Sequence, residues 1–353
     1  MRPWQGVAGA GGCKSICTID RMNDSKTLSH AVESRATRAG TYVLMTAAYN
    51  EQENIERTIQ SVVSQGKLPE SWVIASDGST DETDEIIESY ARRFDFIRYL
   101  RISREPGRSF RSKVVALRGA SKLLEKVPAE FIGNLDADVT VDPFYYAELI
   151  NLFNERPLLG LAGGYVCEEE HGEFKSRRSN RVYSVAHAAQ LARRECYEQI
   201  GGYAVLEYGG EDWHAQVSAK MHGWDAEAFP ALKIYHHRHT GEGDNLVRHK
   251  FRQGRMDYSF GSHPIFEILK CLERFPEKPI VVGSMARMLG FFWSSLRRET
   301  RPVTPEFIRF LRKEQVGKMA RWQTTSSTAF GQGGINAERG ENALPVKKSN
   351  ASP

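Results

Sequence analysis

Apolar and polar positions follow two alternating rhythms along the middle of the chain. From Thr41 an apolar run, TYVLMTAA, leads into NEQENIERTIQSVVSQ, where Ile55, Ile59, Val62 and Val63 recur at helical spacing, and then into a second run, SWVIAS. Continuous apolar runs of this length predict buried strands, and the three-and-four spacing predicts an amphipathic helix. DETDEIIESYARRF predicts a further helix that opens after Ser79, with Glu82 three residues on completing a capping box. FIRYLRI then reads as a strand, SKVVALRGASKLLEKV as a helix and FIGNL as another strand. Strands alternating with helices at these distances predict βαβ units with right-handed crossovers, hence an α/β fold with a mostly parallel central sheet flanked by helices.

Ligands on such sheets bind beyond the carboxyl ends of the strands. Three polar tips then share one rim: AAYNEQEN, SDGSTDE and DADVTVD. The last sets Asp136, Asp138 and Asp142 directly after an apolar strand. Like charges this close repel and raise one another's pKa, so the cluster calls for a cation or for screening by water. A divalent metal is one reading and a plain turn the other. Further on, GGEDWHAQVSAKMHGW places Glu211 and Asp212 after two glycines at a predicted helix start. The helix dipole favours carboxylates there as caps, and the same position suits a general base. KIYHHRHTGEGDN offers His236, His237 and His239; on a strand His237 and His239 share a face and His236 takes the other. Arg108, Arg111 and Lys113, in PGRSFRSK, precede a helix and could meet phosphate or solvent.

Taken together, AAYNEQENI, ASDGSTDET, NLDADV, YGGEDWH and HHRHTG resemble, in order and approximate spacing, the family 2 glycosyltransferases of GT-A fold, over roughly residues 41 to 245. The resemblance implies inverting transfer of a sugar from a nucleoside-diphosphate donor, with Mg²⁺ or Mn²⁺ bridging the diphosphate. It implies that Asp77 contacts the base, that Ala48, Tyr49, Asn50 and Glu51 line the nucleoside pocket with Lys113 in support, and that Asp136 approaches the ribose or the metal. Asp138 is the implied metal ligand, with His237 or His239 completing the diphosphate end. Asp212 is the implied catalytic base, with Glu211 beside it. The chain departs from the family pattern at Ala48, where Pro is common, at Ser76, where a second Asp is common, and at Arg118, where Asn is common. The acceptor is expected to be a glycan or a lipid-linked glycan. A sugar-nucleotide nucleotidyltransferase is the rival enzyme class, but it calls for a Gly-rich basic loop where this chain has AAYNEQEN; a catalytically silent binding scaffold is the rival outside enzymes.

Composition adds bounds. The chain has 353 residues, 41% hydrophobic and 26% charged, which is ordinary globular composition. The segments expected are a mobile lead-in at 1–39, the GT-A domain at 40–245, a helical extension at 246–322 and a disordered tail at 323–353. Five scattered cysteines and an N-terminus without a signal-peptide core predict a reduced, cytoplasmic setting. Net charge of +4 is too small to argue for nucleic acid. Between Glu273 and Arg321, however, eleven Lys and Arg face five Glu, which suits peripheral contact with the inner face of a membrane. Within that segment Met285, Met288, Leu289, Phe292 and Trp293 define an apolar helical face flanked by Arg297 and Arg298; packing against the domain is the expectation for it, membrane contact the alternative.

Overall fold

The computed structural model describes residues 40–103, 110–170, 172–238, 246–276 and 279–331. Among them nine strands form one sheet: β1 (Tyr42–Ala48), β2 (Ser71–Ser76), β3 (Ile97–Arg101), β4 (Phe131–Leu135), β5 (Val139–Val141), β6 (Leu159–Glu170), β7 (Glu173–Ser176), β8 (Ala189–Arg193) and β9 (Asp225–His236). Their order is β3-β2-β1-β4-β8-β6-β9-β5, with β7 on the end of β6. The half from β3 to β4 is wholly parallel, as the alternating pattern predicts. β1 and β2 are apolar and buried along nearly their whole length because helices cover both faces.

The other half is mixed. β8 runs antiparallel to β4 and β6, and β5 antiparallel to β9, while β6 and β9 are parallel. The helices α1 (Ile55–Val63), α2 (Thr83–Ala91), α3 (Phe110–Leu124), α4 (Tyr145–Glu155), α5 (Arg194–Gln199) and α6 (Glu211–Met221) divide between the two faces. Tyr42 and Leu44 of β1 point to α1, α2 and α4; Val43 and Met45 point to α3, α5 and α6.

Helix α2 starts later than the sequence suggests. Ser79 is tied to Ser76 and Asn50, and it is Asp81 that meets the helix start, its carboxylate accepting from the backbone N–H (3.1 Å) and hydroxyl (2.6 Å) of Thr83. No side-chain cap involves Glu82.

Four helices follow: α7 (Leu246–Ser259), α8 (Pro264–Glu273), α9 (Val282–Leu296) and α10 (Pro305–Gly331). The last runs beyond position 323, where the sequence sets the tail; residues 332–353 and 1–39 lie outside the described residues. A third apolar cluster, Leu206, Val217, Phe260, Phe307 and Leu311, joins α6 to this helical end. The apolar face of α9 does not pack inward: Met285, Leu289, Phe292 and Trp293 are exposed, and only Met288 is half-buried. Among the described residues no helix is long and apolar enough to cross a membrane.

Candidate active site

Parallel pairing brings the ends of β1, β2 and β4 to one rim, Ala48 standing opposite Ser76. The loops after β1 and β2 are laced together. Asp77 donates its N–H to the Ala48 carbonyl (2.8 Å), Asn50 to Ser79 Oγ (3.2 Å) and Glu51 to Thr83 Oγ1 (2.8 Å). Ala48, Glu51 and Asp77 are buried and Tyr49 is exposed. Asn50 adopts a φ of 51°, which Asn tolerates better than most residues, and its Oδ1 accepts the Thr80 N–H at 2.9 Å. Its side chain therefore shapes the loop, where the resemblance implies a nucleoside contact.

At the end of β4 the two carboxylates of the Asp-x-Asp tip have opposite environments. Asp136 takes the Lys113 ammonium at 2.8 Å and an Asn134 amide N–H at 3.2 Å, with the His187 ring 3.8 Å away. Burial opposes its ionisation, but Lys113 and His187 outweigh burial and hold the carboxyl well below the usual range. Lys113 itself is kept charged by Asp136 and Glu211 against the cost of burial. Asp138 has no such cation in contact. Burial, with the charge of Asp136, pushes its pKa up, and the nearest partner is His236 Nε2 at 3.6 Å. The tip is fixed from behind by buried Thr58 of α1, whose hydroxyl lies 2.9 Å from the carbonyls of both Ala137 and Val139. Asp142 stands apart: it follows β5, roughly 13 Å along the chain from Asp138 if fully extended, and is exposed.

Glu51 joins this group. Burial and the charge of Asp138 raise its carboxyl to about 7, although Arg238 donates to it at 2.8 Å and Asn54 at 3.1 Å. Arg238 gives no sequence signal beyond lying among the histidines.

Glu211 and Asp212 open α6, after Gly209 and Gly210 at φ of 82° and 87°. Asp212 Oδ1 accepts the Trp213 N–H at 2.7 Å, and burial together with the Glu211 carboxylate raises its pKa. Opposing that rise are His187 and Lys113. His187, like Lys113, thus acts on both Asp136 and Asp212. It is buried, its ring stacks edge-on against Tyr203 at 4.4 Å, its Nδ1 lies 3.0 Å from the Asn134 amide, and its Nε2 has no hydrogen-bond partner among the described residues. Sequence patterning misses it, because a single histidine in YSVAHAAQL carries no spacing that marks it.

The histidine cluster divides otherwise than the resemblance implies. The pairing of β5 with β9 puts His236 opposite Val139 and its ring beside Asp138. His237 is engaged elsewhere, its ring nitrogens 3.3 Å from Arg57 and 3.0 Å from Thr140 Oγ1. His239 and Arg108 lie outside the described residues. Among the described residues no three His, Cys, Asp or Glu side chains form a metal cage. Asp138 with His236 nevertheless fits one side of a divalent cation: the carboxyl is buried with a second carboxylate, Asp136, close by, and His236 turns its Nε2 toward it at 3.6 Å. The remaining ligands of such an ion would be diphosphate oxygens and water.

Another cleft opens at the opposite, amino end of β4, lined by Glu130, Arg193, Arg194 and Glu198 among others. Its charges pair with each other and with backbone carbonyls, Arg193 with Glu130 at 3.0 Å and Arg194 with the Ala129 carbonyl at 2.9 Å, so they serve to fasten β8 to β4.

Residues 44–207 match the family described as "Glycosyl transferase family 2". Over 121 residues the chain is 30% identical to the poly-beta-1,6-N-acetyl-D-glucosamine synthase of Staphylococcus epidermidis and 29% to that of Staphylococcus aureus strain COL. Each alignment covers 33% of this chain and 26% of the relative, so the chain matches about a quarter of the length of these curated relatives. Two solved structures are similar at low identity. Staphylococcus aureus TarS 1-349 in complex with UDP-GlcNAc aligns with a TM-score of 0.47 at 13% identity over 77% of this chain and 79% of that one. The mannosyltransferase PcManGT from Pyrobaculum calidifontis, with GDP-Man and Mn²⁺, aligns at 0.45 and 14% over 88% and 89%.

Proposed function

We propose, from the match of residues 44–207 to the glycosyl transferase family 2 description, that the chain moves a sugar from a nucleoside-diphosphate donor to a hydroxyl of a glycan or lipid-linked acceptor, inverting the anomeric centre. The observation that carries the reading is the convergence at one rim of the Lys113–Asp136 pair, Asp138 beside His236, and the Glu211–Asp212 pair.

In this reading Ala48, Tyr49, Glu51 and Asp77 line the nucleoside end. Asp138 and His236 would hold a divalent cation, Mg²⁺ or Mn²⁺, which when bound supplies Lewis-acid stabilisation of the leaving diphosphate. Lys113 keeps Asp136 ionised and oriented. Asp212 accepts the proton of the acceptor hydroxyl while that oxygen forms its bond to the anomeric carbon; the bond from that carbon to the phosphate oxygen breaks, and the diphosphate departs with the electron pair. One displacement inverts the centre, and no enzyme nucleophile is required. The raised pKa of Asp212 suits it to proton abstraction, because a more basic carboxylate is a better acceptor. A cytoplasmic location, expected from the cysteine pattern, belongs to the same proposal.

An N-acetylglucosamine donor is the first to try, by likeness to the synthases. Release of nucleoside diphosphate is followed with candidate acceptors for the wild type and Asp212→Asn. The expected outcome is retained donor binding with turnover reduced roughly 100-fold or more. Turnover unchanged in the variant would remove Asp212 from the role.

A further inference from the structure

Helix α9 is built inside out for a helix in water. Its buried positions are Gly283, Ser284, Ala286, Arg287, Gly290, Phe291 and Ser294, mostly small, while Val282, Met285, Leu289, Phe292, Trp293 and Leu296 form one exposed stripe. Leu289 is 63% exposed and Leu296 81%. The stripe contains no polar residue and is extended by exposed Ile280 and Val281. Contiguous apolar surface of this kind marks a site of contact.

Two features prevent α9 from turning its bulky face inward. The first is backbone contact with α7. A Cβ on Gly254 would lie 1.8 Å from the Arg287 carbonyl oxygen, and one on Gly290 2.0 Å from that of Phe251, so both glycines are needed for the crossing. The second is a buried ion cluster. Arg287 meets Asp257 at 2.6 Å and Glu267 at 3.1 Å, and Lys270 meets the same two acids at 2.9 and 2.6 Å. Rotating α9 would leave these carboxylates short of a cation in the protein interior.

We propose that this stripe docks the chain on an anionic bilayer, α9 lying in the interface with its apolar residues toward the acyl chains. Small residues facing protein and large apolar ones facing out is the pattern of helices solvated by lipid. Charge selects lipid over a second copy of the chain. Arg297 and Arg298, both exposed, stand at the C-terminal end of the stripe, and the Arg297 guanidinium lies over the Trp293 ring at 4.6 Å, a pairing suited to the headgroup layer. Lys250 and Arg274 line a narrow cleft beside Gly283 and Ser284 at the other end. Self-association through this face would bring the exposed Arg297 and Arg298 of two copies into one interface, whereas anionic headgroups neutralise them. The proposal does not depend on the transferase reading; joined to it, it favours a lipid-linked acceptor.

The test is flotation of the full chain, without donor, with vesicles of phosphatidylglycerol and phosphatidylethanolamine and with vesicles of phosphatidylcholine alone. The wild type is expected to float with the anionic vesicles. Leu289→Glu with Leu296→Glu should weaken that partitioning at least about tenfold, and Arg297→Glu with Arg298→Glu should abolish the preference for anionic lipid. All four positions are exposed; unchanged circular dichroism and melting confirm the fold, and Leu289→Gln with Leu296→Gln gives the same reading without added charge. A wild type that never floats, or apolar-face variants that float as well as the wild type, overturns the proposal. So does a dimer in size-exclusion chromatography that Leu289→Glu dissolves while vesicles bind nothing, which assigns the face to a second copy.

Discussion

In the proposed role of general base Asp212 must be ionised, yet burial and Glu211 raise its pKa. Turnover should therefore fall as pH drops through that raised value, with the acid limb of kcat above the ordinary Asp range near 4. Two substitutions should move the limb in opposite directions. Glu211→Gln removes a like charge and shifts it to lower pH; His187→Ala removes an opposing influence and shifts it to higher pH. The pH–rate profiles of the three proteins check this, and equal shifts for both variants would sink the electrostatic account. At this scale legibility depends on chemistry being local in sequence. The Asp-x-Asp tip, Lys113 and the Glu211–Asp212 pair carry their own spacing and can be read directly. His187 and Arg238 cannot, because only the β4–β8 pairing and the turn after β9 bring them beside Asp136 and Glu51. For His236 the alternation of a strand shows that it points away from His237, but the register that turns it toward Asp138 is a tertiary fact.

The element that matters most to the site is α6, and it is held at its start. Gly210 has φ of 87°, and a Cβ there would come 2.8 Å from Met256 Sδ and 3.0 Å from the Phe260 ring. Gly210→Ala should cost about 1–3 kcal/mol of stability and lower kcat more than donor affinity, since it tilts the helix that carries Asp212. Thermal melts and donor titrations separate the two effects. The next residues anchor the helix: the Trp213 ring packs on Phe260 at 4.7 Å and His214 stacks on Phe307 at 4.8 Å. Burial holds His214 down to about 4, so between that value and its ordinary 6.5 the unfolded chain binds a proton that the folded chain refuses. Its contribution is complete above about pH 6.5 and is lost as pH falls toward 4, on the order of 3 kcal/mol. Denaturant melts across that range should show the loss in the wild type and a flatter dependence in His214→Gln. The parallel strands and α1 are legible because their apolar periods are strong and local. The mixed half is not: the direction of β8 and the pairing of β5 with β9 depend on partners distant in sequence, as Phe131 opposite Arg193 illustrates.

For the whole molecule, the helical end and the sheet act on one site. Phe260, directly after α7, and Phe307 of α10 support the start of α6, and α7 also carries the glycine crossing that turns the apolar stripe of α9 outward. Composition indicates helices and a cationic excess in this region, but not which side of α9 is buried, because Gly254 and Asp257 on another helix decide it. Phe307→Ala should cost about 3–5 kcal/mol and reduce turnover while leaving the β1–β4 rim and its nucleotide affinity largely intact. The central claim is that the rim carrying Asp136 and Asp138 binds a nucleoside diphosphate with a divalent cation. Calorimetric titration with UDP, GDP and dTDP, each with Mn²⁺ and with chelator, on the wild type and on Asp138→Ala tests it most directly. One nucleotide is expected to bind, only with the metal present, and at least about tenfold more weakly in the variant. No binding of any nucleotide in the presence of metal, or binding indifferent to Asp138, would contradict it.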